Sequence, residues 1–242
     1  MHCVCASKSH MSLCIIARCA RTGNLGLGVG SENLSIGMQC DGAIRPRIGA
    51  TLTLGATTPA NNRLTLNLLA QGYSPQSALA ELRANDPAHA QRLIAILDRE
   101  GRAAYHRGTH ASAAAACLAG VDCITMIDGA PGEAAARSLQ ASFASSADDD
   151  LGARILRALE AVEPPRGAGL RSVALVVYGA NDYSDIDLRV DMHERPVAEL
   201  RRLYDEYQPF GAYYDERAKN PRQALPQREF ADLIERSRGG GS

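Results

Sequence analysis

The sequence predicts an α+β fold in which antiparallel sheets are covered by helices. Two observations carry this reading. Apolar, β-branched runs come in consecutive pairs joined by turn residues, the pattern of hairpins. Helix-forming segments rich in Ala, Leu and Arg are grouped between the strand pairs instead of following each strand. The chain therefore lacks the βαβα alternation of a doubly wound parallel sheet.

The elements follow in order. Residues 12–18 (SLCIIAR) are apolar and β-branched, and read as a strand. Thr22-Gly23-Asn24 makes a turn, after which Leu25, Leu27 and Val29 alternate with Gly26, Gly28 and Gly30. That period of two is a second strand with one bare face, open to a packed layer, another backbone or a ligand. Residues 48–58 (IGATLTLGATT) alternate Leu and Thr as a further strand. Ser74-Pro75 supplies an N-cap and a first-turn proline for a helix running to about Asn85. Residues 93–98 and 102–106, joined at Arg99-Glu100-Gly101, form another hairpin, and 123–127 is a short strand. Helices follow at 131–145 and 151–162, the second led by Asp148, Asp149 and Asp150. Residues 163–169 are a Pro/Gly loop, and 171–178 (RSVALVVY) is an interior strand. Residues 185–191 alternate apolar with charged, a strand with one wet face, and 196–207 is a helix with Val197, Leu200 and Leu203 on one side. Beyond Pro209 the pattern weakens.

Composition removes several functions. The 26 Lys plus Arg against 27 Asp plus Glu leave a net charge of −1, without the basic excess of a nucleic-acid binder. With three Phe, eight Tyr and no Trp, the chain lacks stacking platforms for single strands. No run approaches the length of a transmembrane helix. The seven cysteines, at 3, 5, 14, 19, 40, 117 and 123, show no CxxC pair and no zinc spacing, so they read as reduced thiols of a cytoplasmic protein. Neither GxGxxG nor GxxxxGK[ST] occurs, and a strand carries the glycine cluster, which argues against nucleotide binding. The GxSxG elbow of α/β-hydrolases is missing as well. His106 and His110, with Asp128, form the one set that suggests a metal-dependent enzyme; solvated loop histidines are the simpler reading, and no metal or organic cofactor is expected. Asp191-Met192-His193-Glu194 reads as a turn and cap before Pro196. Met11-Ser12 is a pair that removal of the methionine would convert to an N-terminal serine. Such a serine has a built-in base, because a free α-amine titrates at about 7.7–8.0.

Several stretches together resemble a bacterial family of unknown function, the one numbered ten-twenty-eight. They are MSLCIIARCARTGNLGLGVGS from Met11, Gly72-Tyr73-Ser74-Pro75 with Ala78-Leu79, Ser172 before its apolar strand, and Asp187-Leu188-Arg189-Val190-Asp191 followed by His193, Pro196, Val197, Glu199-Leu200 and Leu203. The resemblance spans 11–207. It implies the N-terminal nucleophile (Ntn) hydrolase superfamily and a four-layer αββα sandwich of two antiparallel sheets. Residues 1–10 are then an extension, unstructured or removed, and 208–242 a C-terminal extension with a flexible Gly-rich end. The chain departs from the family at Thr57-Thr58-Pro59, where the family has Thr-Gln, and at the shortened Asn61-Asn62. It departs again at Ile124-Thr125, in place of Gly-Asn, and at 163–167, in place of Gly-Gly-Asp.

The implied activity is hydrolysis of an amide-like bond in a small metabolite. Ser12 falls at the nucleophile position, with its own amine as base. Thr57 and Thr58 are the oxyanion candidates, Asn61 and Thr125 orient substrate, and Arg189, Asp191 and His193 line the mouth of the site. The rival expectation is a non-catalytic binding or assembly protein on the same fold. As is common in this superfamily, a homo-oligomer is expected, with a small-molecule substrate and no nucleic-acid or membrane partner.

Overall fold

The computed structural model describes residues 11–163 and 169–239. The expected extension at 1–10, most of the Pro/Gly loop after Glu163 and the last glycines lie outside the described residues. The chain divides into two compact units, up to Leu200 and from Arg201 on.

The first unit is built on two wholly antiparallel sheets. Strands β1 (Ser12–Arg18) and β2 (Leu25–Ser31) form the expected hairpin at the middle of a six-stranded sheet. β2 continues to β9 (Ser172–Tyr178) and the edge strand β10 (Ser184–Val190); β1 continues to β8 (Cys123–Asp128) and the edge strand β7 (Ala116–Gly120). The second sheet has the order β3 (Ile44–Arg45), β4 (Gly49–Gly55), β5 (Arg92–Asp98), β6 (Ala103–Arg107).

The two sheets bury one apolar cluster between them. Cys14, Ile16, Leu27, Val29, Met126 and Val176 come from one side, and Leu52, Leu54, Leu93 and Leu97 from the other. Each such side chain, fully removed from water, contributes about 1.5–3 kcal/mol before entropy is counted. Helices cover the outer faces. α1 (Pro59–Ala70) and α2 (Pro75–Asn85) pack Leu66, Leu69 and Leu82 on Ile94 and Ile96 of the four-stranded sheet. α3 (Glu133–Ser145) and α4 (Leu151–Glu160) cover the six-stranded sheet, with Asp150 capping α4 through the Ala153 N–H.

The bare face of β2 is a seat for α4. A Cβ at Gly28 would lie 2.6 Å from Ile155 Cγ2, and one at Gly26 2.7 Å from Ile155 Cδ1. A packed helix thus occupies the space that the sequence left open to a ligand.

Several elements differ from expectation. The strand read over 48–58 stops at Gly55, where φ is +75°, and Thr58-Pro59 opens α1 instead. The Leu/Thr alternation ends at that point, and proline at the first helical position takes over. β3 and β7 are too short and weakly patterned to be read from the sequence. The helix expected over 196–207 is longer, α5 (Pro196–Lys219), and passes through Pro209. In the second unit, α5 beyond Leu200 is followed by α6 (Gln227–Gly239). Tyr213 stacks on Phe230 at 4.3 Å, and its hydroxyl donates to the Leu225 carbonyl at 2.9 Å, contacts that repay the lost backbone bond at Pro209. Among the described residues no helix is long and apolar enough to cross a membrane.

Candidate active site

Directly opposed residues in an antiparallel pair share a face. The register sets Ser12 opposite Ser31 on one side and Asp128 on the other, and Ser31 opposite Ser172. Asp128, Ser12, Ser31 and Ser172 therefore form one row across four strands. The row faces the second sheet, one step beyond the core layer of Met126, Cys14, Val29 and Ala174.

Ser12 is half-buried, and its Oγ lies 2.8 Å from Ser31 Oγ. Ser31 Oγ also accepts from the Asn33 N–H at 3.1 Å. Ser172 Oγ donates to the Asn33 carbonyl at 2.6 Å and accepts from the Ile36 N–H at 3.0 Å. Ser31 and Ser172 are fully buried, so these bonds fix the 31–36 segment beside Ser12. The residue before Ser12 is held too. The Met11 N–H donates to Glu32 Oε1 at 3.1 Å, and its carbonyl accepts from the Glu32 N–H at 3.1 Å.

The second sheet meets this row at the end of β4. A Cβ at Gly55 would lie 3.7 Å from Asp128 Oδ2. The turn that follows carries Thr57, whose hydroxyl donates to the Gly55 carbonyl at 3.2 Å, and Thr58, the extended N-cap of α1, whose hydroxyl makes no cap bond. Arg92 anchors this turn by donating to the Ala56 carbonyl while its Nε holds Asp86 Oδ2 at 2.5 Å. Asn61 Nδ2 donates to the same Asp86 oxygen at 3.1 Å. The Arg92 hydrogen bond, with help from Asn61, holds the Asp86 carboxyl down to about 2 against the effect of burial.

The other expected residues separate. Thr125 lies on the opposite face of β8, fully buried, its hydroxyl donating to the Ala136 carbonyl of α3 at 3.2 Å. Asn61 spends its donor on Asp86. Arg189 and Asp191 pair with each other at 2.8 Å at the β10 edge. His193 is exposed, and its Nδ1 accepts from the Arg195 N–H at 3.0 Å in the turn before α5. His106 Nε2 lies 2.9 Å from the His89 carbonyl, and the described residues hold no group of three or more His, Cys, Asp or Glu side chains placed to bind a metal ion. The cysteines near the row are core thiols. Burial, then Cys40 and Cys117, push Cys14 well up, and burial raises Cys40 and Cys117 to about 12.

Sequence reasoning missed Ser31, Glu32 and the Arg92–Asp86 anchor, and it weighed Asp128 only as a metal ligand. The signal for Ser31 was present: a hairpin closed at Thr22-Gly23-Asn24 pairs residue 12 with residue 31.

The model of a family of unknown function, DUF1028, matches residues 12–200. The crystal structure of a protein of that family from Silicibacter pomeroyi is similar to this fold. Its TM-score is 0.74 at 25% sequence identity, over 82% of this chain and 89% of that one. None of the curated proteins matches the chain. With the family model reaching from the row serine Ser12 through β10 to the first turn of α5, the chain belongs to the DUF1028 family.

Proposed function

We propose that this protein is an Ntn-type hydrolase of an amide-like bond in a small metabolite, on a four-layer αββα sandwich, with Ser12 as nucleophile once Met11 and the residues before it are removed. The observation that carries the reading is the place of Ser12. It stands at the head of an interior strand, on the face between the sheets, with its Oγ 2.8 Å from Ser31 Oγ. Backbone groups alternate along a strand. Those of Met11 address Glu32 on β2, so the Ser12 nitrogen addresses β8 at Asp128.

In this mechanism Ser12 Oγ attacks the substrate carbonyl and its proton passes to the α-amine, directly or through a water. The oxyanion takes hydrogen bonds from the turn at Thr57 and Thr58, which the Arg92 anchor holds rigid. The α-amine returns the proton to the leaving nitrogen. Water then hydrolyses the acyl-Ser12 ester by the same route. The bonds that the Glu32 carboxylate and N–H make to Met11 are lost when Met11 is removed. Asn61 acts through Asp86 as a positioning residue.

One observation favours a second reading. While Met11 is attached and paired with Glu32, the Ser12 nitrogen is an amide and cannot act as a base. A chain kept in that form serves as a binding or assembly protein.

The test is the intact mass and N-terminal sequence of protein made from its native gene, with turnover measured on a panel of aminoacyl p-nitroanilides and small amides. A chain that begins at Ser12, turns over one of these and loses the turnover in Ser12→Ala at unchanged melting temperature supports the hydrolase. An N-terminus upstream of Ser12 in active protein, or full activity in Ser12→Ala, refutes it.

A further inference from the structure

A second opening lies on the β9–β10 side of the 3-10 turn Ile36–Cys40, away from Ser12. It is a cleft of about 250 Å³ whose lining includes Cys40, Ile44, Val176, Tyr178, Asp187 and Arg189. Asp187 and Arg189 pair with Val176 and Ala174, so both lie on the inter-sheet face of this edge strand, where the described residues leave them exposed.

The charged groups of this cleft are unevenly used. Arg189 Nη2 is fixed by Asp191 at 2.8 Å, but its Nη1 makes no hydrogen bond among the described residues. The Asp187 carboxylate and the Tyr178 hydroxyl likewise have no hydrogen-bond partner there. Asp41, across the cleft from them, is paired with Arg63. Burial, then Asp187 and Asp41, push the Tyr178 hydroxyl up, so it stays neutral and offers its oxygen as an acceptor. Cys40, also in the lining, feels both charges in opposite senses. Ile44, Val176 and Ala43 supply an apolar wall. Opposite charges separated along one face, beside an apolar wall, suit a ligand that carries both signs itself. A lone anion or cation would meet repulsion at one end.

We propose that this cleft binds a small α-amino acid as its zwitterion, the ammonium on Asp187 and Tyr178, the carboxylate on Arg189, and an apolar side chain against Ile44 and Val176. Gly37 sets the room at the carboxylate end. A Cβ there would come 2.8 Å from Arg189 Nε and 3.1 Å from Ala174 Cβ, so any side chain displaces the guanidinium. The proposal goes beyond the hydrolase reading and needs no chemistry at Ser12.

The test is calorimetric titration of the full chain with L-leucine, with leucinamide, which lacks the carboxylate, and with 4-methylpentanoate, which lacks the ammonium. No turnover is read, so the outcome is separate from the fate of Ser12. L-Leucine is expected to bind, and each comparator to bind at least about tenfold more weakly. Asp187→Asn, at an exposed position of the edge strand, is expected to bring L-leucine down to the level of 4-methylpentanoate. Gly37→Ala is expected to weaken L-leucine and leave leucinamide at its own level. The absence of L-leucine binding at millimolar concentration, equal binding of the three compounds, or unchanged affinity in Asp187→Asn would overturn the proposal.

Discussion

Adding one methyl group to β2 tests how its bare face is filled. In Gly28→Ala the new Cβ would meet Ile155 Cγ2 at 2.6 Å and Leu159 Cδ1 at 3.0 Å. Carbon atoms pack best at about 3.5–4.0 Å, so α4 must retreat by about 1 Å. Ile155 and Leu159 are both 0% exposed. Cγ2 sits on the branched Cβ and cannot rotate away at low cost. Overpacking of this kind costs about 1–3 kcal/mol, which lowers the melting temperature by about 2–10 °C in a domain of this size. Gly26→Ala meets Ile155 at Cδ1 instead, at 2.7 Å, the flexible end of the same side chain. It should cost less, and Ile155→Val, which deletes Cδ1, should relieve it. Ile155→Val should not relieve Gly28→Ala, because valine keeps the Cγ2 methyl. Urea unfolding of the three single variants and the two doubles measures both couplings. A neutral Gly28→Ala, or equal rescue of both glycine variants by Ile155→Val, would refute the seat.

Two further outcomes follow from the site. The Asp86 carboxyl is held at about 2 in the folded chain against an ordinary 3.8, so its contribution is complete above about pH 5 and is lost as pH falls through 2. Discounted for screening by solvent, that contribution is about 1–2 kcal/mol, so Asp86→Asn should differ most from the parent in urea midpoint at pH 6, and the gap should narrow as pH falls from about 5 toward 2; a gap independent of pH would show that Asp86 is not charged in the fold. Thr125→Val removes the hydroxyl bond to Ala136 on the helix side of β8. It should cost about 1 kcal/mol in urea unfolding and leave any amide turnover unchanged; a loss of turnover at full stability would return Thr125 to the substrate.

What the sequence made legible depends on how local each signal is. The Ser74-Pro75 start predicts α2, and the Ser74 side chain accepts from the Ser77 N–H as a cap should. The β1–β2 hairpin and the α4 start at Asp150 are local in the same way. The end of β4 was misread because Thr57 and Thr58 continue the strand composition, while the termination comes from the positive φ at Gly55 and from Pro59. The site was harder. Ser12 could be singled out because a serine directly after a methionine carries its signal in two adjacent residues. Ser172 and Asp128 lie on strands far away in sequence, and only the sheet order β9-β2-β1-β8 brings them into a row. Thr125 stands off the Ser12 row for a related reason: one step along β8 separates the inter-sheet face from the helix face, and no local pattern tells which is which.

The same single step explains why the glycines and the serines belong to one device. A slip of β2 by one residue would turn Leu25, Leu27 and Val29 toward α4 and drive them into Ile155 and Leu159. It would also carry Ser31 away from Ser12. The fold tolerates β2 against α4 only where the glycines face the helix, and in that register alone Ser31 Oγ stands 2.8 Å from Ser12 Oγ while Ser172 faces Ser31 from β9. The packing on one side of the sheet therefore sets the alignment of the hydroxyls on the other. A substitution that loosens α4 from β2 should disturb the Ser12 row before it disturbs the core between the sheets.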